Sequence, residues 1–382
     1  MKNLDLTVQV RSGGFAGAPA DPTDIIKRLD AVLSRLPVTR VIMGWSTDPE
    51  VYERAAHYLF ENGVELYLWL PVFSELGLVH HCRFVIGPSG QPPASYQLDE
   101  TENFEFYCPN SPENIQACLD VFDQHFAALG FAGVFLDKIR YPSFVNGKDG
   151  GLSCFCPRCL TTYEQAGIDV DALMGRIGQL ANANTPFGVT AYQDGHYQFA
   201  DDIWRQFFEL RANAVSASLH EICDHLRLQG YQIGLDVFAP FMSEFVGQDI
   251  AELSHLADFI KPMMYATTFA PAGLPFEMAA MLRETGMSQK AGQYYALLGL
   301  DDSKRPFDID FCARQIAELS EACVCPVHPG IEINQVPRVA DTNPDYIKRC
   351  LDAYKDVDGV VLSWNLMDMP TEHLQAVANW LN

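Results

Sequence analysis

Eight short runs rich in β-branched and aromatic residues, separated by longer amphipathic stretches, set the tightest limit on what this chain can fold into. The runs lie at 4–10, 39–45, 64–73, 132–139, 231–240, 258–266, 324–334 and 358–364. They are mostly continuous rather than alternating, as expected of parallel strands buried on both faces. The stretches between them carry helix signals. DPTDIIKRLDAVLSRL and SPENIQACLDVFDQHFAALG open with capping residues and proline, and the second ends on glycine. Eight strands followed by helices predict an α/β fold, a (β/α)8 barrel. The rival is an open doubly wound sheet with a phosphate-binding turn after its first strand. VRSGGFAGAPA is glycine-rich but lacks the G-x-G-x-x-G spacing.

About 60 residues separate the end of the fourth run, near Ile139, from the long helical pattern near Asp201. This is too long for a plain loop. It predicts short helices at TTYEQAGI and VDALMGRI, placed over the C-terminal mouth of the barrel. No linker composition and no second core pattern appears. Residues 1–382 therefore read as one catalytic barrel, with 141–200 as an insertion.

Charge narrows the partners. Lys and Arg total 26 against 49 Asp and Glu, a formal net charge of −23. Such a surface argues against nucleic acid and anionic lipid. No apolar run is long enough to span a membrane. The N-terminus MKNLDLTVQV has no basic-then-apolar leader pattern, so a cytoplasmic location is expected unless a leader was trimmed. Oligomeric state is left open, a homo-oligomer included.

Three of the eleven cysteines, Cys154, Cys156 and Cys159, fall in one C-F-C-P-R-C knuckle. Tetrahedral Zn²⁺ takes four soft ligands, and Cys108 in FEFYCPNSPEN, after the third strand, is the candidate fourth. Four thiolates would fill the coordination sphere, making the zinc structural. YCPNSP with CFCPRC resembles the zinc site of the zinc-containing β-galactosidases, barrel glycosidases of the thermophilic type. In that family one Cys after strand three and three after strand four bind structural zinc, which the resemblance carries to Cys108, Cys154, Cys156 and Cys159. Their catalytic Asn-Glu pair has no counterpart at the end of the fourth strand here.

Barrel enzymes place catalytic groups at the C-terminal ends of their strands. Here those ends offer Asp137, Lys138, Arg140 and Tyr141 on the fourth, Asp236 on the fifth, and Lys261 and Tyr265 on the sixth. The seventh offers His328, Glu332, Asn334 and Gln335, and the eighth Trp364, Asn365 and Asp368. Arg11, Trp45 and Trp69 end the first three. Carboxylates on several strands, ringed by Trp and Tyr, suit a sugar site: glycosidic cleavage needs two carboxyl groups flanking the bond. The expectation is a glycoside hydrolase acting on an oligosaccharide or glycoside. Asp137 is the nucleophile, and Asp236 or Glu332 the acid/base. Lys138, Arg140, Tyr141, Lys261, Tyr265, Trp45, Trp69, Trp364 and Asn365 contact substrate. The alternatives are an inactive carbohydrate-binding barrel or a hydrolase of non-sugar substrates. The three cations Lys138, Arg140 and Lys261 fit either an anionic substrate group or internal partners for Asp137 and Asp236.

The series GVFLDKIRYPS, DVFAP, ADFIKPMMY and DGVVLSWN is similar to the glycoside-hydrolase-like barrels of bacteria. That resemblance implies kinship with the α-amylase-like and α-galactosidase-like barrels, where a strand-four Asp is the nucleophile. It matches Asp137, Arg140, Tyr141, Asp236 and Tyr265, covers strands four to six well, and leaves strands one to three largely unmatched. Lys138 and Lys261 stand where that group usually has uncharged residues.

Overall fold

In the computed structural model, the protein is described over residues 4–15, 19–99, 102–300 and 307–382. The eight runs all form strands: β1 (Asp5–Arg11), β2 (Arg40–Gly44), β3 (Glu65–Pro71), β4 (Gly133–Asp137), β5 (Gln232–Val237), β6 (Phe259–Pro262), β7 (Gly330–Glu332) and β8 (Gly359–Ser363). They make one parallel sheet in the order β6-β5-β4-β3-β2-β1-β8-β7. The sheet closes where Ile260 N donates to Pro326 O (3.0 Å) and His328 N donates to Ile260 O (2.8 Å). The result is a (β/α)8 barrel.

Two apolar clusters follow from the two faces of the strands. Alternate residues such as Val8, Val10, Leu68, Leu136 and Leu235 belong to the cluster shared with the helices. Ile42, Tyr67, Trp69, Phe135, Phe259 and Val361 form a second cluster, the barrel interior. Glycines make room for those rings. A Cβ on Gly133 would meet the Tyr67 ring at 2.4 Å, and one on Gly234 the Phe259 ring at 2.5 Å. At the N-terminal end the Arg40 guanidinium lies between the Tyr67 and Phe259 rings and pairs with Asp5 and Glu65.

The helices start where the capping residues stand. Asp21 and Asp48 accept from Thr23 N and Glu50 N ahead of Pro22–Leu33 and Pro49–Glu61. Ser111 holds the N-cap position of Pro112–His125, but its hydroxyl donates to Glu113 rather than capping the backbone.

Between β4 and the long helix Asp202–Leu228 the chain forms helices Pro157–Gln165 and Val170–Gly178, as the sequence predicts. It also forms an antiparallel hairpin, Val189–Gln193 with His196–Phe199, which the sequence reading left unassigned. The ring of Phe187 anchors the insertion against Phe144, Trp204, Phe208 and Phe245. A second hairpin, Tyr96–Asp99 with Glu102–Phe104, rises from the loop after β3. Among the described residues no helix is long and apolar enough to cross a membrane.

Candidate active site

The ends of β3 to β6 bring one group of polar side chains together. Asp137, at the end of β4, accepts from Trp69 Nε1 at 2.9 Å and from the Lys138 amide. Trp69 meets Trp45 edge to face, with ring centroids 5.0 Å apart. On the adjacent strand, Asp236 is 2% exposed and accepts from Lys261 Nζ at 2.8 Å through Oδ2. Its Oδ1 is buried without a hydrogen-bond partner. Burial pushes the Asp236 carboxyl up to about 7; Lys261 pulls it back, and the nearby Asp137 charge adds to the rise. Burial also works against the Lys261 charge, but Asp236 outweighs it and raises the lysine's pKa. The Tyr265 hydroxyl, pushed up to about 12 by burial, also lacks a hydrogen-bond partner, as do Trp45 Nε1 and both ends of the Gln9 amide.

Several expected contact residues turn out to be engaged within the fold. Lys138 has a left-handed backbone (φ 51°), and its Nζ pairs with Glu75 (2.9 Å) and Glu102 (3.2 Å). Its ammonium also lies 4.0 Å from the Phe104 ring centroid. Lys138 is thus a buried tie between the β3 loop, the hairpin and β4, with no charge left over for a substrate. Tyr141 is turned away from Asp137: its ring lies under the Arg211 guanidinium (4.6 Å), beside the cysteines. Asn365 accepts from Arg11 N and Met367 N and donates to Asp368, so its side chain is spent on capping. Trp364 is half-buried at the rim.

Glu332, the other expected acid/base, is tied into the fold by several donors. Its carboxylate accepts from Thr267 N (3.0 Å), Thr267 Oγ1 (2.9 Å), Thr268 Oγ1 (2.7 Å) and Tyr346 OH. Four donors saturate it, and it is 1% exposed. Burial raises its pKa while those donors oppose the rise. It ties the β6 loop to the helix Pro344–Ala353. His328 lies at the opposite, N-terminal end of the barrel, stacked on Phe259, where burial holds its pKa down at about 4.

Sequence reasoning missed three carboxylates near this group. Glu75 and Glu102 sit on loops and hairpin outside the strand ends, and Glu277 on the helix Leu274–Glu284. Glu277 Oε1 accepts from Ala272 N at 2.8 Å, but Oε2 is buried without a partner. The signal available was a carboxylate within an apolar helix face, in FEMAAML.

The four expected cysteines do converge. Their Sγ atoms lie within 4.8 Å of one another, with Cys108 3.9 Å from Cys156 and 3.5 Å from Cys159. None forms a disulfide. Backbone amides of Ile86 and Cys156 point at Cys154 Sγ. Arg211, fully buried in the long helix, packs on Tyr141 and Phe207 nearby and donates to Phe245 O. Its Nε and Nη2 have no partner.

Cavities mark two further surfaces. A groove of about 550 Å³ runs along the rim between Phe269 and residues 335–341. Another of about 550 Å³ lies outside the barrel wall, between the 189–199 hairpin and the helix Ile309–Ala322.

Residues 95–318, more than half of the chain, match the family described as "Putative glycosyl hydrolase domain". The chain belongs to that family. The matched stretch contains Asp137, Asp236, Lys261 and all four cysteines of the cluster. No curated protein matches the chain. The glycoside hydrolase domain of PgaB (BpsB) from Bordetella bronchiseptica superposes with a TM-score of 0.60 at 12% identity, covering 99% of this chain and 98% of that one. Ostrinia furnacalis Group IV chitinase superposes at 0.50 with 11% identity, covering 99% and 100%. At such identities the likeness is one of fold.

Proposed function

We propose that the protein hydrolyses O-glycosidic bonds at the β3–β6 end of its barrel, with Asp236 as the general acid and Asp137 as the nucleophile or base. The observation that carries this is the contrast between two neighbouring carboxyl groups. Asp137 has both oxygens held by N–H donors, while Asp236 keeps one oxygen unpartnered and a pKa raised to about 7. Neighbouring carboxyls whose environments differ in this way suit an acid and its partner. The acid must be protonated to donate to the leaving oxygen, so kcat/KM should fall as pH rises through about 7. Membership of a glycosyl hydrolase family supports the reaction class. Phe269 offers an exposed ring on the rim groove for sugar stacking. The test is a screen of aryl glycosides of both anomers. Hydrolysis with an alkaline limb near 7 supports the reading; sugar binding without cleavage replaces it with a carbohydrate-binding barrel.

Zinc is the ion proposed for the cysteine cluster. Tetrahedral coordination at about 2.3 Å puts sulfurs about 3.8 Å apart, close to the separations here. Four thiolates around Zn²⁺ leave a net charge of −2, and Arg211 is a buried, carboxylate-free cation beside it. Backbone N–H groups aimed at Cys154 would stabilise thiolate charge. A site closed by four protein ligands holds loops together and activates no water.

A further inference from the structure

Arg140, 3% exposed, lies between the Phe106 and Phe238 rings with Glu277, Asp137 and Asp236 around it, and lines neither of the two cavities described above. It is a cation of the interior. The rim groove of about 550 Å³ is different: it is open, and its volume falls within the roughly 300–1,000 Å³ of ligand pockets. Its walls form one continuous frame. The β6 loop pairs with the small hairpin after β7: Thr268 bridges Ala340, and Phe269 N donates to Val339 O at 2.7 Å. The hairpin itself pairs Gln335 with Asp341 and Val336 with Ala340. Beneath it Thr267 and Thr268 are fixed on Glu332, and the Thr267 and Thr342 hydroxyls meet at 3.1 Å. Thr268, Ala340 and Thr342 are buried. Phe269 is the residue this frame turns outward, 56% exposed on the groove. Phe60 and Leu228 are more exposed, but they stand on helix surfaces.

An aromatic face carries a partial negative charge, which attracts the C–H groups on the apolar face of a pyranose. Gln335, Arg338 and Asp341 line the same groove, and amide, guanidinium and carboxylate groups each offer two or more atoms to neighbouring hydroxyls. A ring platform edged by such planar polar groups suits a sugar better than a lipid chain or an apolar peptide. The groove lies on the β6 and β7 loops, at the same end of the barrel as Asp236, and Phe269 comes four positions after Tyr265. A sugar bound there belongs to a chain that continues from the unit at Asp236. We propose that the rim groove is a distal subsite, with Phe269 as its stacking platform, and that the substrate is a glycan chain of several units rather than a single-sugar glycoside. This rests on the glycosidase reading for the path of the chain, while its test reads binding.

The test measures binding of cellohexaose, chitohexaose and maltohexaose against their disaccharides by ligand-observed NMR. Wild type, Phe269→Ala, Phe269→Tyr and Phe60→Ala are compared, with thermal melting as the check on folding. In wild type at least one hexasaccharide should bind about tenfold more tightly than its disaccharide, and Phe269→Ala should bring that ratio below about threefold. Phe269→Tyr, which keeps the ring, and Phe60→Ala, which removes an exposed ring elsewhere, should keep the wild-type ratio. No length preference in wild type, or one that survives in folded Phe269→Ala, overturns the proposal, as does an equal loss in Phe60→Ala. New reducing-end signals in the same spectra report cleavage. Length-dependent binding through Phe269 without cleavage of any glycoside defeats the hydrolase reading and leaves the subsite standing. Cleavage without length preference does the reverse.

Discussion

The two sides of the barrel mouth hold their buried carboxylates differently. On the β7–β8 side, Glu332 accepts from four donors. Asn334 accepts from Trp364 N and Asn365 N and donates to Asn365 O. On the β4–β6 side, Asp236 Oδ1, the Tyr265 hydroxyl and Glu277 Oε2 are buried and unpartnered. Buried polar atoms are nearly always paired, because each one left unpaired costs about 1–3 kcal/mol. A saturated carboxylate therefore reads as structure. The unsaturated groups at the β4–β6 side are what supports the acid proposed there. Strand position alone does not separate Asp236 from Glu332; the count of donors around each is what favours Asp236 as the proposed acid.

The largest expected effect concerns neither half of the mouth but the knuckle that braces it. Stripping metal with a chelator should lower the melting temperature by roughly 10 °C or more, as loss of a folding-coupled ion does. Elemental analysis should first find one zinc per chain. An unchanged melt with no metal bound would remove the cluster from the account. Next comes Lys261→Met, which strands Asp236 without its cation. Stability should fall by roughly 3–5 kcal/mol in chemical denaturation, and activity should fall on neutral and acidic substrates alike. Uniform activity with lost affinity for acidic substrates alone would assign Lys261 to the substrate instead. Glu332→Gln is the milder counterpart on the other side. Its amide would face the Thr267 N–H donor, costing about 1–3 kcal/mol, with kcat/KM of the folded protein changed only a few-fold. A large loss of turnover at unchanged stability would erase the contrast between the halves.

Much of this arrangement was legible in the sequence. All eight runs proved to be strands because continuous β-branched sequence has few other outcomes when flanked by capped helices. The three-cysteine knuckle was legible because tight C-x-C and C-x₂-C spacing constrains where thiols point, and its fourth member, Cys108, through its place after the third strand and the resemblance to the zinc-containing β-galactosidases. Asp137 and Asp236 were placed by strand ends. What stayed hidden depends on contacts far apart in the chain. Glu332 and Thr267 are 65 positions apart, and Lys138 and Glu75 are 63 apart. The Tyr96–Phe104 hairpin, which carries Glu102 to the mouth, lies in a proline-rich, polar stretch with little strand signal. Tyr141 follows Arg140 directly, yet the two diverge, one toward the cysteines and the other toward the mouth. A loop's path decides that, and no periodicity reports it.

The most direct test is a side-by-side assay of wild type, Asp137→Asn, Asp236→Asn and Glu332→Gln on the best aryl glycoside, corrected for folded fraction. The account predicts losses of roughly 10²–10⁴-fold in kcat/KM for the two aspartate variants, and near-wild-type turnover for Glu332→Gln. A Glu332→Gln enzyme as crippled as Asp236→Asn, or an Asp236→Asn enzyme that turns over normally, would contradict it.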